Sequence, residues 1–489
     1  MEIKKLTLKN LGRFETLEVD FAPTEEHMSN VTVFIGNNGA GKTSILEALA
    51  TSLSWFVARL RTGKGTGNLI DEWAIINNAP SSSITLQLCD DIHNDISLDK
   101  ELSYQWSLVK ARKGRKSDKT SHLSELTKLA DGYRQLLTDD SKASLPLIAY
   151  YAVDRSVLDI PLKIMGKHSF NQVEGYDGSL NKGVDFRRFF EWFREREDIE
   201  NEEERRRIAP LLENVMSIDI DEAVGNYEQR VNNLNMLDSK SLIKELEHIQ
   251  KVNALAKKLE ENLRSLEEKH QDKELNAVRT AISAFMPNLS NIRVERKPRL
   301  HMAVDKNHQP LNVMQLSQGE KSLMALVGDI ARRLAMMNPS LDNPLDGDGI
   351  ILIDEVDMHL HPSWQRNLLQ RFISTFPNCQ IILTTHSPLV ISDQKNILVY
   401  LLKNGEIDIL PPLFGKDVNT VLLEAMDTYI RDPKTDKKLK DLLDLIQDNK
   451  LPEANKLYSD LTKELPQDNI ELAKARLIIR KKELRNEKN

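Results

Sequence analysis

The chain has 489 residues, 40% of them hydrophobic and 29% charged, enough for two or more domains around a large core. No apolar run approaches the roughly 20 residues of a membrane span, and the N-terminal MEIKKLTLKNLGRFETLEVDF lacks the apolar block of a signal peptide, so a soluble, cytoplasmic protein is expected. Two cysteines, Cys89 and Cys379, make neither a disulfide framework nor a zinc site, and a net charge of −7 leaves any nucleic-acid contact to local basic patches.

Residues 2–9 and 15–21 alternate polar and apolar side chains and read as two strands joined by Asn10-Leu11-Gly12-Arg13-Phe14. Val31–Ile35 is a third, buried strand. It runs into Gly36-Asn37-Asn38-Gly39-Ala40-Gly41-Lys42-Thr43, which fits G-x-x-x-x-G-K-[ST], and a helical run follows from Ser44 to Leu53. Strand, glycine loop and helix start together form a phosphate cradle: glycines turn backbone N–H groups toward the ligand, and the helix N-terminus adds partial positive charge. On this chemistry Lys42 reaches the β- and γ-phosphates and the Thr43 hydroxyl ligates Mg²⁺. ATP and Mg²⁺ are therefore expected, with Gly36 through Ser44 as nucleotide contacts and Arg13, in the preceding turn, as a further candidate.

Arg61 to Asn68 is a glycine-rich loop, and Ile84–Leu88 with Leu102–Val109 form a hairpin. Lys110 to Lys116 (KARKGRK) is either a solvated hairpin tip or a contact to a phosphate backbone. Leu145–Tyr151 is a short buried strand followed by Ala152-Val153-Asp154-Arg155. From Val184 the pattern is helical. Phe186, Phe189, Phe190 and Phe193 make an aromatic stripe read as core, and Glu195–Arg207 a mixed-charge run read as solvated surface. Ile249, Val252, Ala256, Leu259, Leu263 and Leu266 follow a heptad seam of about three repeats, roughly 30 Å long. Strands return at Ile292–Glu295 and His301–Val304, among Arg293, Arg296, Lys297 and Arg299.

A second chemical region begins at Leu316-Ser317-Gln318-Gly319-Glu320, which opens a helix from Glu320 to Met336 with an anion-binding end. The buried strand Ile350–Ile353 ends in Asp354-Glu355. The first carboxylate suits Mg²⁺, and the second can polarise a water for in-line attack on a γ-phosphate. Val356-Asp357-Met358-His359-Leu360-His361-Pro362 follows. His359 and His361 lack a third metal ligand nearby, and Pro362 marks a helix start. The strand Gln380–Leu383 ends in Thr384-Thr385-His386-Ser387-Pro388, where His386 can hydrogen-bond the γ-phosphate.

The ordered set GNNGAGKT, LSQGE, ILIDE, VDMHLHP and TTHSP resembles the ABC-type ATPases of the RecF, structural-maintenance and Rad50 group. The resemblance implies an α/β fold: a two-lobed head with a mixed sheet flanked by helices, a helical, short coiled-coil insertion and a C-terminal helical tail. It implies that Lys42 and Thr43 hold phosphate and Mg²⁺, that Asp354 supports the metal, that Glu355 is the general base and that His386 senses the γ-phosphate. Asp357 would lie in the loop that crosses to a partner. Ser317 and Gly319 would contact the γ-phosphate bound by a second copy, so that two chains pair head-to-tail around ATP. No glutamine follows Tyr150–Tyr151 closely, and Asp154 or Arg155 takes that place. More than 270 residues separate Thr43 from Leu316, unlike transporter domains of this class.

A narrower resemblance, to the PtuA-type ATPases of antiphage systems, rests on YYAVDRSVLDIPL, FNQVEGYDGSL, VDFRRFFEWFREREDIENE, DEVDMHLHP and FGKDVNTVLLEAM. Such ATPases occur in Septu and retron systems beside a separately encoded HNH nuclease. The resemblance implies that nuclease as partner, with DNA or retron msDNA as a possible nucleic-acid partner and no membrane. The alternative is a RecF-like repair ATPase that binds DNA without an effector. The expected organisation is a first ATPase lobe at 1–150, the insertion at 151–290, a second lobe at 291–415 and a tail at 416–489. Three short amphipathic helices, 434–447, 452–464 and 468–485, make up the tail, with Ala454, Leu457, Leu461 and Leu465 on one face. Nothing after His386 offers the carboxylate set of a Toprim nuclease or an H-N-H arrangement, so no intrinsic nuclease is expected.

Overall fold

The computed structural model describes residues 1–92, 102–117, 119–153, 170–180, 186–216, 271–425, 431–466 and 468–486, with helical positions scattered between 243 and 264. It contains two compact units, Met1–Pro412 and Leu413–Asn489.

Three strands open the first unit: β1 (Glu2–Leu11), β2 (Phe14–Asp20) and β3 (Val31–Gly36). β1 and β2 are a hairpin about Gly12-Arg13 and join β4 (Ser81–Asp90) and β5 (Leu102–Ala111) in an antiparallel sheet of order β2-β1-β4-β5. Period-two alternation suits this sheet, which has one dry face. Ile3, Leu6, Leu8, Ile84, Leu86, Leu88, Tyr104, Trp106 and Leu108 are buried, while Lys9 and Gln105 face water. Helix α1 (Lys42–Arg61) packs under it, and the Trp106 indole donates to the Ser52 hydroxyl at 2.8 Å.

The second sheet is built from β3, β6 (Leu147–Tyr151) and four strands late in the chain. Between them come β7 (Leu289–Glu295), β8 (His301–Lys306) and β9 (Gln309–Asn312), a small antiparallel sheet. β10 (Gly349–Ile353), β11 (Cys379–Thr384), β12 (Leu398–Lys403) and β13 (Glu406–Ile409) then complete the order β13-β12-β3-β11-β10-β6. All neighbours are parallel except β12 and β13. Strands covered on both faces are mostly apolar, and β6, β10 and β11 are buried along their whole length, with Gln380 and Thr384 of β11 hydrogen-bonded. Register decides what meets at the strand ends. Ile353 pairs with Tyr151 and with Leu383, Thr384 with Phe34, and Leu402 with Gly36. The segments leaving β3, β10 and β11 therefore emerge side by side. Gln380 ties this sheet to the first, bonding Ile3 N and O at 2.8 Å and Ala22 O at 2.7 Å.

Helices α2 (Ser124–Asp139), α3 (Phe186–Met216), α4 (Lys273–Phe285) and α5 (Gln318–Met337) flank the sheets. The phenylalanine stripe of α3 is core, as its spacing implies. The charge run after it is not simple surface: the buried Glu197 carboxylate accepts Val294 N at 3.0 Å, Glu200 pairs with Arg279 at 2.9 Å, and Arg196 pairs with Asp272 at 2.5 Å. Long charged side chains here face α4 and β7, a tertiary arrangement that helical periodicity does not register. In the KARKGRK run Arg112 donates to the carbonyls of Ile75 (2.9 Å) and Ile76 (3.1 Å), while Lys113, Arg115 and Lys116 are exposed. Asp154, Arg155 and the heptad positions Ile249, Leu263 and Leu266 lie outside the described residues. The second unit contains the helices Pro433–Gln447, Leu451–Glu464 and Ile470–Asn486. Their core includes Leu439, Leu442, Ile446, Ala454, Leu461, Leu472, Ala475 and Ile479, with Leu457 and Leu465 packed against it.

Candidate active site

The phosphate loop is closed by conformations only glycine adopts cheaply. Gly36, Gly39 and Gly41 have φ of 144°, 76° and 108°, and a Cβ on Gly41 would sit 2.5 Å from the Phe14 ring. The β1–β2 turn thus roofs the loop, and Arg13 comes with it: its guanidinium lies 3.3 Å from where a Gly39 Cβ would be. Gly12 approaches Ser44 in the same way. The Lys42 ammonium donates to Gly36 O at 2.8 Å and Asn37 O at 3.2 Å. Burial lowers its pKa, opposed by the carboxylates of Glu355, Asp354 and Asp357.

The ends of β10 and β11 supply the acidic half. Asp354 is fully buried and accepts from the Thr43 hydroxyl at 2.8 Å and the Thr384 hydroxyl at 2.6 Å. Thr384 in turn accepts from Glu355 N at 2.7 Å. Glu355 is left-handed (φ 45°), which turns its carboxylate toward His386: Oε1 and Nε2 are 3.9 Å apart. Burial lowers the His386 pKa, and the nearby Lys42 charge adds to the effect. Asp357 accepts from the Thr385 hydroxyl at 2.5 Å and from His386 N at 3.2 Å, so within one chain its carboxylate faces inward. The Thr43 and Asp354 oxygens are a hard donor pair that fits Mg²⁺.

Ser317 caps α5, accepting from Glu320 N at 3.3 Å while Glu320 accepts from Ser317 N at 2.9 Å. Lys306 holds the Glu320 carboxylate at 2.7 Å. Gly319 lies so close to the loop after Glu355 that a Cβ would be 2.3 Å from His359 O. Among the described residues neither Ser317 nor Gly319 hydrogen-bonds the phosphate loop.

Sequence reasoning passed over two features. Thr384 reads as an ordinary strand end, and only the β10–β11 register makes it the bridge between Asp354 and Glu355. Tyr151 reads as core, and it is buried. Its hydroxyl, however, donates to Asp329 of α5 at 3.0 Å, and its carbonyl accepts from Asp354 N at 2.8 Å. Asp329 pairs with Arg332 and Arg333, both at 2.7 Å, and all three are buried. A cavity of about 310 Å³ opens beside the first turns of α1, lined by Gly12, Ser44, Glu47, Asn68, Asp71 and Tyr150.

A glycine cradle, a buried lysine, a Thr–Asp oxygen pair and a second carboxylate, gathered at the ends of parallel strands, define the molecule as a P-loop ATPase. A family model described as an AAA ATPase domain matches residues 1–391. The chain is 32% identical over 499 residues to the retron Ec83 probable ATPase of Escherichia coli, covering 99% of this chain and 87% of that protein. It is 32% identical over 438 residues to the retron Vc95 probable ATPase of Vibrio cholerae, covering 86% and 78%. A Septu protein PtuA of Bacillus mycoides shares 34% identity over 119 residues, 24% of this chain and 16% of that protein. The chain belongs to the AAA ATPase domain family, and within it to the retron ATPases. Among the described residues no helix is long and apolar enough to cross a membrane.

Proposed function

We propose that two copies of this ATPase pair head-to-tail around ATP and, in the cytoplasm, regulate a separately encoded HNH nuclease in antiphage defence. Glu355 draws a proton from the attacking water as the γ-phosphate leaves. Lys42 and the loop N–H groups hold the phosphates, and His386 hydrogen-bonds the γ-phosphate. Thr43 and Asp354 hold Mg²⁺, which supplies charge neutralisation when bound. Two ATPase lobes, 1–150 and 291–415, flank an insertion at 151–290 and are followed by a helical tail at 416–489.

What carries the pairing is the position of Ser317. Its helix end and Gly319 are packed on the loop after the carboxylates and, among the described residues, make no hydrogen bond to their own phosphate loop, so the serine is available to a second copy's nucleotide. Glu355→Gln keeps the shape and removes the base. Expected outcomes are retained ATP binding, turnover reduced about 10²–10⁴-fold and a stable ATP-bound dimer by light scattering. Turnover at the wild-type rate would remove Glu355 from the role of base. Copurification with the nuclease encoded beside the gene tests the effector.

One observation favours the RecF-like alternative. The outer face of the first sheet has a groove of about 530 Å³ lined by Thr7, Lys9, Thr85, Ser107, Lys119 and His122. Hydroxyls and cations with no ion pair among the described residues suit a phosphodiester backbone. Salt-sensitive, ATP-stimulated DNA binding by this chain alone, with no nuclease copurifying, would select that reading.

A further inference from the structure

The helix Ile470–Asn486 has two apolar faces. One carries Leu472, Ala475 and Ile479, buried in the core of the second unit. The other carries Ile470, Leu477 and Leu484, which are 69%, 70% and 52% exposed. At about 100° per residue these three fall within roughly 40° of one another, on the side of the helix nearly opposite the buried face. Single exposed leucines are ordinary surface, but an aligned row offers all three to one partner.

The borders of the row are basic. Lys474 and Lys481 lie on one side, Arg476 and Arg480 on the other. Arg476, Arg480 and Lys481 are exposed and make no ion pair among the described residues. Glu471 pairs with Lys474 at 3.9 Å, Lys482 donates to Ile446 O and Gln447 O, and Glu483 accepts from Asn455 at 2.8 Å. A seven-residue repeat of apolar side chains matches the spacing of a second helix laid alongside, where flanking charges select the partner.

We propose that this face docks an acidic amphipathic helix of a partner protein. A second copy is a poor occupant, because either orientation sets the same cations against each other. A lipid surface is also a poor match: interfacial helices bury a broad apolar face, usually with Trp or Phe, whereas this row is one residue wide and the helix has no aromatic residue. The proposal rests on the second unit alone and survives if the ATP-pairing scheme fails.

Fluorescence anisotropy on the full chain tests it. The probe is a labelled three-heptad peptide with Leu at its a and d positions and Glu at e and g; a counterpart with Lys at e and g is the control. The expected result is binding of the Glu peptide only. Leu477→Ser should weaken that binding at least about tenfold, a change of roughly 1.4 kcal/mol. Arg480→Glu with Lys481→Glu should reverse the preference between the two peptides. Both variants should hydrolyse ATP at the wild-type rate, which separates loss of docking from loss of the ATP site. Failure of the Glu peptide to bind, or equal binding of both peptides, overturns the proposal. So does a preference for phosphatidylglycerol vesicles over the peptide, or loss of self-association in Leu477→Ser.

Discussion

Thr384 holds the acidic end of the site together with one hydroxyl, donating to Asp354 and accepting from the amide of Glu355. Valine has the same shape and the same strand preference but offers neither bond. Thr384→Val should therefore fold, bind ATP within a few-fold of wild type and lose about 10–100-fold in turnover, because positioning rather than binding is removed; steady-state kinetics beside nucleotide titration measures the split. A loss confined to ATP affinity would show that the bridge does not set the carboxylates. His386 carries a pH signature. Its folded pKa lies below the ordinary histidine value, through burial and then Lys42. As pH falls through the unfolded value near 6.5, the unfolded chain takes up a proton that the folded chain refuses, so stability drops until the folded value is passed. His386→Gln should lose less melting temperature between pH 7 and pH 5.5 than wild type.

At the scale of elements, α5 is tied to β6 by a buried hydrogen bond into a charged cluster. Burial pushes the Asp329 carboxyl up, but Arg333 and Arg332 more than offset it and hold it at about 2. The backbone of Tyr151 meets Asp354 and its hydroxyl meets Asp329, so α5, headed by Ser317, is bonded through one residue to the carboxylate proposed to hold Mg²⁺. Asp329→Asn leaves two buried guanidiniums without a counter-ion and should cost about 3–5 kcal/mol, read as a lower urea midpoint. The wild-type carboxylate contributes stability above its unfolded pKa of about 4, which is lost as pH falls toward 2. Tyr151→Phe removes one hydroxyl and keeps the ring, at a cost of about 1.5–3 kcal/mol for a bond to a charged group.

For the whole molecule the question is how many chains make a working site. Ser317→Arg places a long cation at the helix end without touching the chain's own phosphate loop. It should leave ATP binding by the single chain within a few-fold of wild type, abolish the ATP-dependent dimer and reduce turnover to background. Light scattering with and without nucleotide measures the dimer. Full turnover by a chain that stays monomeric would dissolve the pairing scheme while leaving the phosphate loop and the carboxylates of Asp354 and Glu355 as the site of hydrolysis.

The chain's own letters determined what is local. GNNGAGKT carries its glycines, its lysine and its flanking strand and helix within a few residues. The buried runs at Val31–Ile35, Ile350–Ile353 and Gln380–Leu383 are mostly apolar because both faces of a parallel strand are covered. The spacing of Phe186, Phe189, Phe190 and Phe193 likewise marks one face of a helix. What lay beyond the sequence depends on residues far apart in the chain. The partnership of Thr43 with Asp354 across 311 positions, the bridge at Thr384, the ties of Glu197 and Glu200 to β7 and α4, and the junction of Tyr151 with Asp329 all follow from strand register and helix placement. A hydroxyl or carboxylate has the same identity in the sequence whether it meets water or another side chain. Its partner is settled only when strands align and burial makes an unpaired polar group costly.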